Sequence, residues 1–170
     1  MVVIKIRHSD LNAENKVTKS IPFECSLEIA PGLGQVKFDS ITVRGYILAE
    51  AGSGIEVNRQ IVAGGGIKAG EQIEAGWWIE AGKAIVAGKG IVAGRAIVAG
   101  DQIEAGWGIR AERDIVSGLH ITCKTLNCKL RIFVGTANWK TVNQNERTLT
   151  CEDYTGELAC GTFKKISCDF

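Results

Sequence analysis

From Ile55 onward an isoleucine returns at every sixth residue: Ile55, Ile61, Ile67, Ile73, Ile79, Ile85, Ile91, Ile97, Ile103, Ile109, Ile115 and Ile121. Two places after each comes a small residue: Val57, then alanine from Ala63 through Ala111, then Ser117 and Cys123. The place after that is glycine at 64, 70, 76, 82, 88, 94, 100, 106 and 118, with Asn58 and Glu112 as exceptions before Gly118. A helix does not fit this spacing. Six residues advance an α-helix by about 600°, a net 240°, so the isoleucines would scatter over three faces. Glycine every turn and a half would cost about 1 kcal/mol each time. A strand does fit. Its first and third positions share a side, so Ile and Ala point inward together and the residue between them points out. Glycine at the fourth position then supplies a bend, because it takes φ > 0 without a Cβ clash. Asn58 tolerates that conformation and Glu112 does so less well, which predicts a distorted corner at Glu112.

Short strands, each ended by a bend and repeated without insertions, make a solenoid of parallel sheets. Three hexads close a triangle, so 18 residues make one coil, and successive coils stack at about 4.8 Å. An earlier phase is visible at Ile41-Thr42-Val43 and Ile47-Leu48-Ala49, and two extra residues in AEAGSG (49–54) shift the register before Ile55. The predicted fold is all-β: a triangular, single-stranded parallel β-helix over 41–123, roughly four and a half turns or ~20 Å long.

Read as Ala-Gly-x-x-Ile-x, as in Ala87-Gly88-Lys89-Gly90-Ile91-Val92, the repeat resembles the hexapeptide-repeat, left-handed parallel β-helix proteins, the architecture of trimeric acyltransferases. The large and small inward positions are swapped relative to that family, and the resemblance covers about half the chain. Left-handedness rests on the resemblance, since crossover connections are ordinarily right-handed. Many members of that family are acyltransferases with a histidine base, and they bind acyl-CoA or a nucleotide sugar between subunits. Such a base must reach the attacking hydroxyl or amine. Only His8, in the flank, and His120, at a corner of the last coil, are available. The coils from 55 to 123 carry no inserted loop to shape a substrate pocket. No Gly-x-Ser-x-Gly motif, phosphate loop or paired carboxylates accompany them. The expectation is a chain without catalysis or cofactor, with His120 as its one weak catalytic candidate.

An open solenoid leaves unpaired strand edges that invite polymerisation. Residues 1–40 (VVIKI, VTKSIPFECSLEI, QVKF) and 124–170 (KLRIFVG, RTLTCEDY, LACGTFKKI) carry strand-like runs, the latter split by turn-like GTAN, NQNE and YTGE. They are expected to form small antiparallel β caps at both ends, or, for 124–170, an oligomerisation element.

The 18-residue period sorts the outward letters into columns. Arg59, Trp77, Arg95 and Arg113 form one, with three guanidiniums and an indole close enough to stack. Trp78 adjoins it, and Trp107 lies in a neighbouring column with Glu71 and Lys89. These tryptophans either cover coil corners or form a contact patch. Because Trp and Arg are favoured at binding hot spots, Arg59, Trp77, Trp78, Arg95, Trp107 and Arg113 are the candidate binding residues. Val62, Val98 and Val116, in a column with Glu80, reflect either plain β-propensity or an oligomer contact in a dimer or trimer. The regular threonine array of an ice-binding face is missing, with only Thr122 at an outward strand position.

Composition narrows the partner. Twenty Lys and Arg against 19 Asp and Glu leave a net charge of +1, which gives no support for general nucleic-acid affinity. The run MVVIKIRHSDLN lacks the apolar core and cleavage site of a secretion signal, and no run of about 18 apolar residues spans a membrane. A cytoplasmic location is therefore expected, with reduced thiols at Cys25, Cys123, Cys128, Cys151, Cys160 and Cys168. The spacing of these cysteines is too loose for a zinc knuckle, and no metal site is expected. The reading is a non-catalytic, homo-oligomeric scaffold that presents a rigid surface to a protein partner. Such an object suits a phage- or bacterium-encoded inhibitor of a host complex, an anti-defence protein. The alternatives are an acyltransferase-like enzyme and a self-assembling structural protein.

Overall fold

The computed structural model describes residues 1–166. The alternation of Ile-x-Ala resolves into three-residue strands whose first and third side chains are buried and whose middle one is not, as in Ile73–Ala75 and Ile91–Ala93. Strands one coil apart pair in parallel and in register: Ile79 on Ile97, Ala81 on Ala99. The result is an all-β parallel solenoid of about 8 turns, with ~18 residues per coil.

Three faces stack along the axis. Face 1 holds nine strands, starting with Val2–Ile6, Cys25–Ile29 and Ile47–Ala49 and ending with Ile121–Thr122, Thr148–Cys151 and Thr162–Lys165. Face 2 runs from Gly34–Phe38 and Ser53–Val57 through Ile73–Ala75, Ile91–Ala93 and Gly108–Ala111. Face 3 runs from Ile41–Val43 through Ile61–Ala63, Ile79–Ala81, Ile97–Ala99 and Ile115–Ser117. The strand Thr125–Val134 turns the corner and pairs on both faces 2 and 3, as does Asp153–Cys160 above it. Inside, one cluster fills the triangle: the isoleucine ladder, its alanines, and Leu27, Val36, Leu126, Ile132 and Leu149 continuing it.

Parallel pairing therefore extends beyond 41–123 into both flanks, and the antiparallel caps expected there do not form among the described residues. Every strand pair is parallel, and the one antiparallel bridge joins Leu11 to Val17. The flanking strands carry the same in-out alternation as the coils, so stacking them on the core buries Leu27, Leu126, Ile132 and Leu149. The turn-like GTAN and NQNE lie in an excursion between coils (135–147), not in hairpins.

The reason for glycine at the corners also differs from the expected positive φ. Positive-φ glycines are Gly32, Gly34, Gly52, Gly135, Gly156 and Gly161, and none is a repeat glycine. A Cβ on a repeat glycine would instead strike the carbonyl oxygen of the residue one coil below, nearer than the 3.0 Å that real Cβ atoms keep. Gly82 would meet Gly64, and Gly100 would meet Gly82. Glycine here allows close stacking, not an unusual backbone. The Glu112 corner is slightly stretched: its N–H reaches the Ala93 carbonyl at 3.3 Å, against 2.9 Å for Gly94 on Ala75. The extra residues of AEAGSG form a turn with Gly52 at φ 74°, and Ser53 behind it is fully buried.

Candidate functional site

The corner between faces 2 and 3 collects the arginine–tryptophan column. Each residue there follows a close-packed corner residue, so its backbone donates one coil down. Trp77 N–H reaches the Arg59 carbonyl at 2.8 Å, Arg95 reaches Trp77 at 2.6 Å, and Arg113 reaches Arg95 at 2.9 Å. This spine holds the side chains one strand spacing apart. Arg59 and Arg95 lie over the Trp77 ring from either side, at 5.7 and 5.3 Å from its centroid. Trp78 tilts against Trp77 with centroids 5.7 Å apart. Trp77 stays 38% exposed despite these neighbours. Among the described residues, Arg59, Arg95 and Arg113 make no ion pair, whereas Arg44, Arg110 and Arg131 do.

Beside the ladder lies a shallow groove of about 400 Å³, lined by Trp78, Glu80, Arg95, Ala96, Val98, Arg113 and Asp114. Four of the six candidate binding residues thus sit together at or in this groove, with Arg59 at the lower end of the ladder. Val98 of the valine column shares it. Val116 stacks directly above Val98, and Val62 lies two coils below it with Glu80 between them; both are half-buried. The valine column and the ladder form one surface rather than two.

Trp107 does not join them. It belongs to the corner between faces 1 and 2, across face 2 from Trp77. There it is 60% exposed, with Lys89 5.7 Å from its centroid and Lys89 paired to Glu71. Two residues that counting could not assign extend the main surface. Leu130 N–H donates to the Arg113 carbonyl at 3.1 Å, so Leu130 is the next rung of the ladder and is exposed. Arg131 lies over the Phe133 ring at 5.5 Å, and Phe133 stacks on Val116. The signal was hidden because this coil is one residue short: Ile109 stacks on Leu126, 17 residues on. A further exposed indole, Trp139, bonds the Gly100 carbonyl through Nε1–H at 3.4 Å, from the 135–147 excursion where no period applies.

His120 sits at the corner between faces 3 and 1, half-buried, with Nε2 3.3 Å from Glu104 Oε1. It faces an open depression of about 470 Å³ with Thr122, Asn145, Thr148, Thr150 and Lys164. His8 is exposed in a short 3-10 turn of the N-terminal segment. Among the cysteines, Cys123 and Cys151 are buried neighbours on successive coils of face 1, while Cys128 lies on face 2 and Cys160 on face 3. Among the described residues no three metal-ligating side chains converge, and Cys168 lies outside them. Burial, and then the Cys151 thiol beside it, push the Cys123 thiol up to about 12. Neither a protein-family model, nor a curated protein, nor a solved structure matches the chain.

Proposed function

We propose that this chain is a non-catalytic scaffold whose corner between faces 2 and 3 docks a protein partner. The observation that carries this reading is Trp77, held between two guanidiniums yet exposed, beside a groove in which Arg95 and Arg113 have no acidic partner among the described residues. A solvated guanidinium over an indole contributes about 0.5–1 kcal/mol, and about 2 or more once desolvated. A partner that covers the ladder strengthens the stacking that already orients it. Arg59 and Arg95 already lie against the Trp77 ring, so less of their side-chain freedom is lost on docking. The half-buried valines alongside supply apolar area, and the arginines supply specificity. Because the ladder is rigid and anchored in the solenoid core, the chain suits an inhibitor that occludes a surface of a larger complex. A phage or bacterial anti-defence protein is the role we favour.

The test is capture from the native host by the wild-type chain and by two variants, Trp77→Ala/Trp78→Ala and Trp107→Ala. The first should lose the specific partner while keeping the melting temperature within a few degrees. The second should keep it. A partner retained by the first variant contradicts the reading.

A second reading follows from the resemblance to left-handed hexapeptide-repeat acyltransferases, and the His120–Glu104 contact favours it: a carboxylate beside an imidazole can orient it as a base. Thermal-shift screening against acyl-CoAs and nucleotide sugars addresses it. A hit abolished by His120→Ala would place this reading first.

A further inference from the structure

The two ends of the solenoid are not alike. At the start of faces 2 and 3, Val36 and Ile41 are both 0% exposed although no full coil lies below them. The segment 7–24 closes that end. Asn15 Nδ2 donates to the carbonyls of Leu33 and Gln35 at 2.8 and 2.6 Å, Val17 N–H donates to Lys37 at 3.0 Å, and Arg44 N–H donates to Phe23 at 2.7 Å. Leu11, Val17 and Ile21 pack on the core from outside. At the other end nothing among the described residues does this. Tyr154, Leu158 and Phe163, the inward residues of the last coil, are only half-buried, whereas Leu126, Ile132 and Leu149 one coil below are at most 2% exposed. Among the described residues, the strands Asp153–Cys160 and Thr162–Lys165 each pair on one side only.

This open end carries both charges, on different strands. Asp153 and Glu157 lie on one edge strand, and Lys164 and Lys165 on the other. Among the described residues none of the four makes an ion pair, and Asp153 and Lys164 adjoin in sequence Tyr154 and Phe163, whose ring centroids are 4.7 Å apart. We infer that two copies of this chain join tail to tail through this end. A two-fold axis that exchanges faces 1 and 2 lays Lys164 and Lys165 of each copy on the Asp153 segment of the other, so this opposite-charge contact occurs twice, while face 3, with Glu157, meets its own counterpart. It also sets the half-buried apolar residues against their counterparts. Such an isologous contact is self-complementary and closes on itself. Growth into a filament needs a second open end, and the 7–24 segment occupies most of it, leaving only the face 1 edge at Val2–Ile6. The proposal does not use the ladder from Arg59 to Arg113, which lies on the side of the solenoid and whose extension at Arg131 meets the last coil only at Glu157.

The test is the mass of the full chain in solution, by sedimentation velocity over a micromolar concentration series. The wild type should reach a two-chain mass and stop. K164E/K165E places acids on both exchanged faces and D153K places lysines on both, so each alone should raise the dissociation constant by at least about tenfold, as like-charge juxtaposition is strongly unfavourable. An equimolar mixture of the two should restore the two-chain mass, because the contact between the exchanged faces is again between opposite charges. The wild-type constant should also weaken with salt, a readout that needs no substitution. A monomeric wild type, a mass that grows without limit, variants that dimerise as the wild type does, a mixture that stays monomeric, or a salt-independent constant would each overturn the inference.

Discussion

At the scale of single residues, two glycines of one coil test what the corner glycine does. A Cβ at Gly82 would collide with the Gly64 carbonyl oxygen, a backbone atom that cannot move without shifting its own corner. Gly82→Ala should therefore cost about 1–3 kcal/mol, the range of overpacked sites. At Gly90 the nearest atom is the Gly108 carbonyl oxygen at an ordinary 3.4 Å, and φ is not positive. Gly90→Ala should cost nothing and gain up to about 1 kcal/mol by restricting the unfolded chain. Urea midpoints of the two variants decide the matter. If both are equally harmful, the stacking explanation fails. Cys123 gives a pH signature. Its ordinary value is 9.0 and burial raises it to about 12 in the fold. The unfolded chain then releases a proton above pH 9 that the folded chain keeps, so this contribution is whole below pH 9 and is lost as pH rises toward 12. A Cys123→Ala variant should show a shallower alkaline loss than the wild type in denaturation at several pH values. Identical slopes would contradict the assignment.

At the scale of elements, the strands differ in how well they are buried. Ile85 is fully buried between Ile67 and Ile103, and Ile85→Ala should cost about 2–5 kcal/mol. Leu158 on the last coil is half-buried, and Leu158→Ala should cost clearly less in a monomer. The turn that absorbs the two extra residues of AEAGSG is pinned by Ser53. Its hydroxyl donates to the Ala30 carbonyl at 2.7 Å and accepts from Leu33 N–H at 2.9 Å. Ser53→Ala leaves the Leu33 N–H without this acceptor and should cost about 1–3 kcal/mol in thermal or chemical denaturation. These elements also mark how far the chain could be read directly. Between Ile55 and Ile121 every coil has the same length, so inward and outward residues follow from counting alone. Beyond Ile121 the coils change length: Ile121 stacks on Leu149, 28 residues on, and Leu149 on Phe163, only 14 on. Strand-like runs were visible there, but their pairing direction depends on closure over the core, which no local pattern encodes. The same loss of period hid Leu130, Phe133 and Trp139. The ladder Arg59, Trp77, Arg95 and Arg113 was legible because it lies inside the periodic region, while Trp107's separation from it follows only from which corner each hexad occupies.

At the scale of the whole molecule, repetition and function separate. Ile, Ala and Gly build a three-sided rod, and the proposed docking surface is made of the letters that vary at the corners. The corner between faces 2 and 3 is the docking surface proposed for a partner. The most direct measurement is quantitative affinity capture from the native host with the wild type and the Trp77→Ala/Trp78→Ala variant, each shown by melting to be folded. The specific partner recovered by the wild type should fall at least about tenfold with the variant, since hot-spot truncations cost about 2 kcal/mol or more. Equal recovery by the two folded proteins would contradict it.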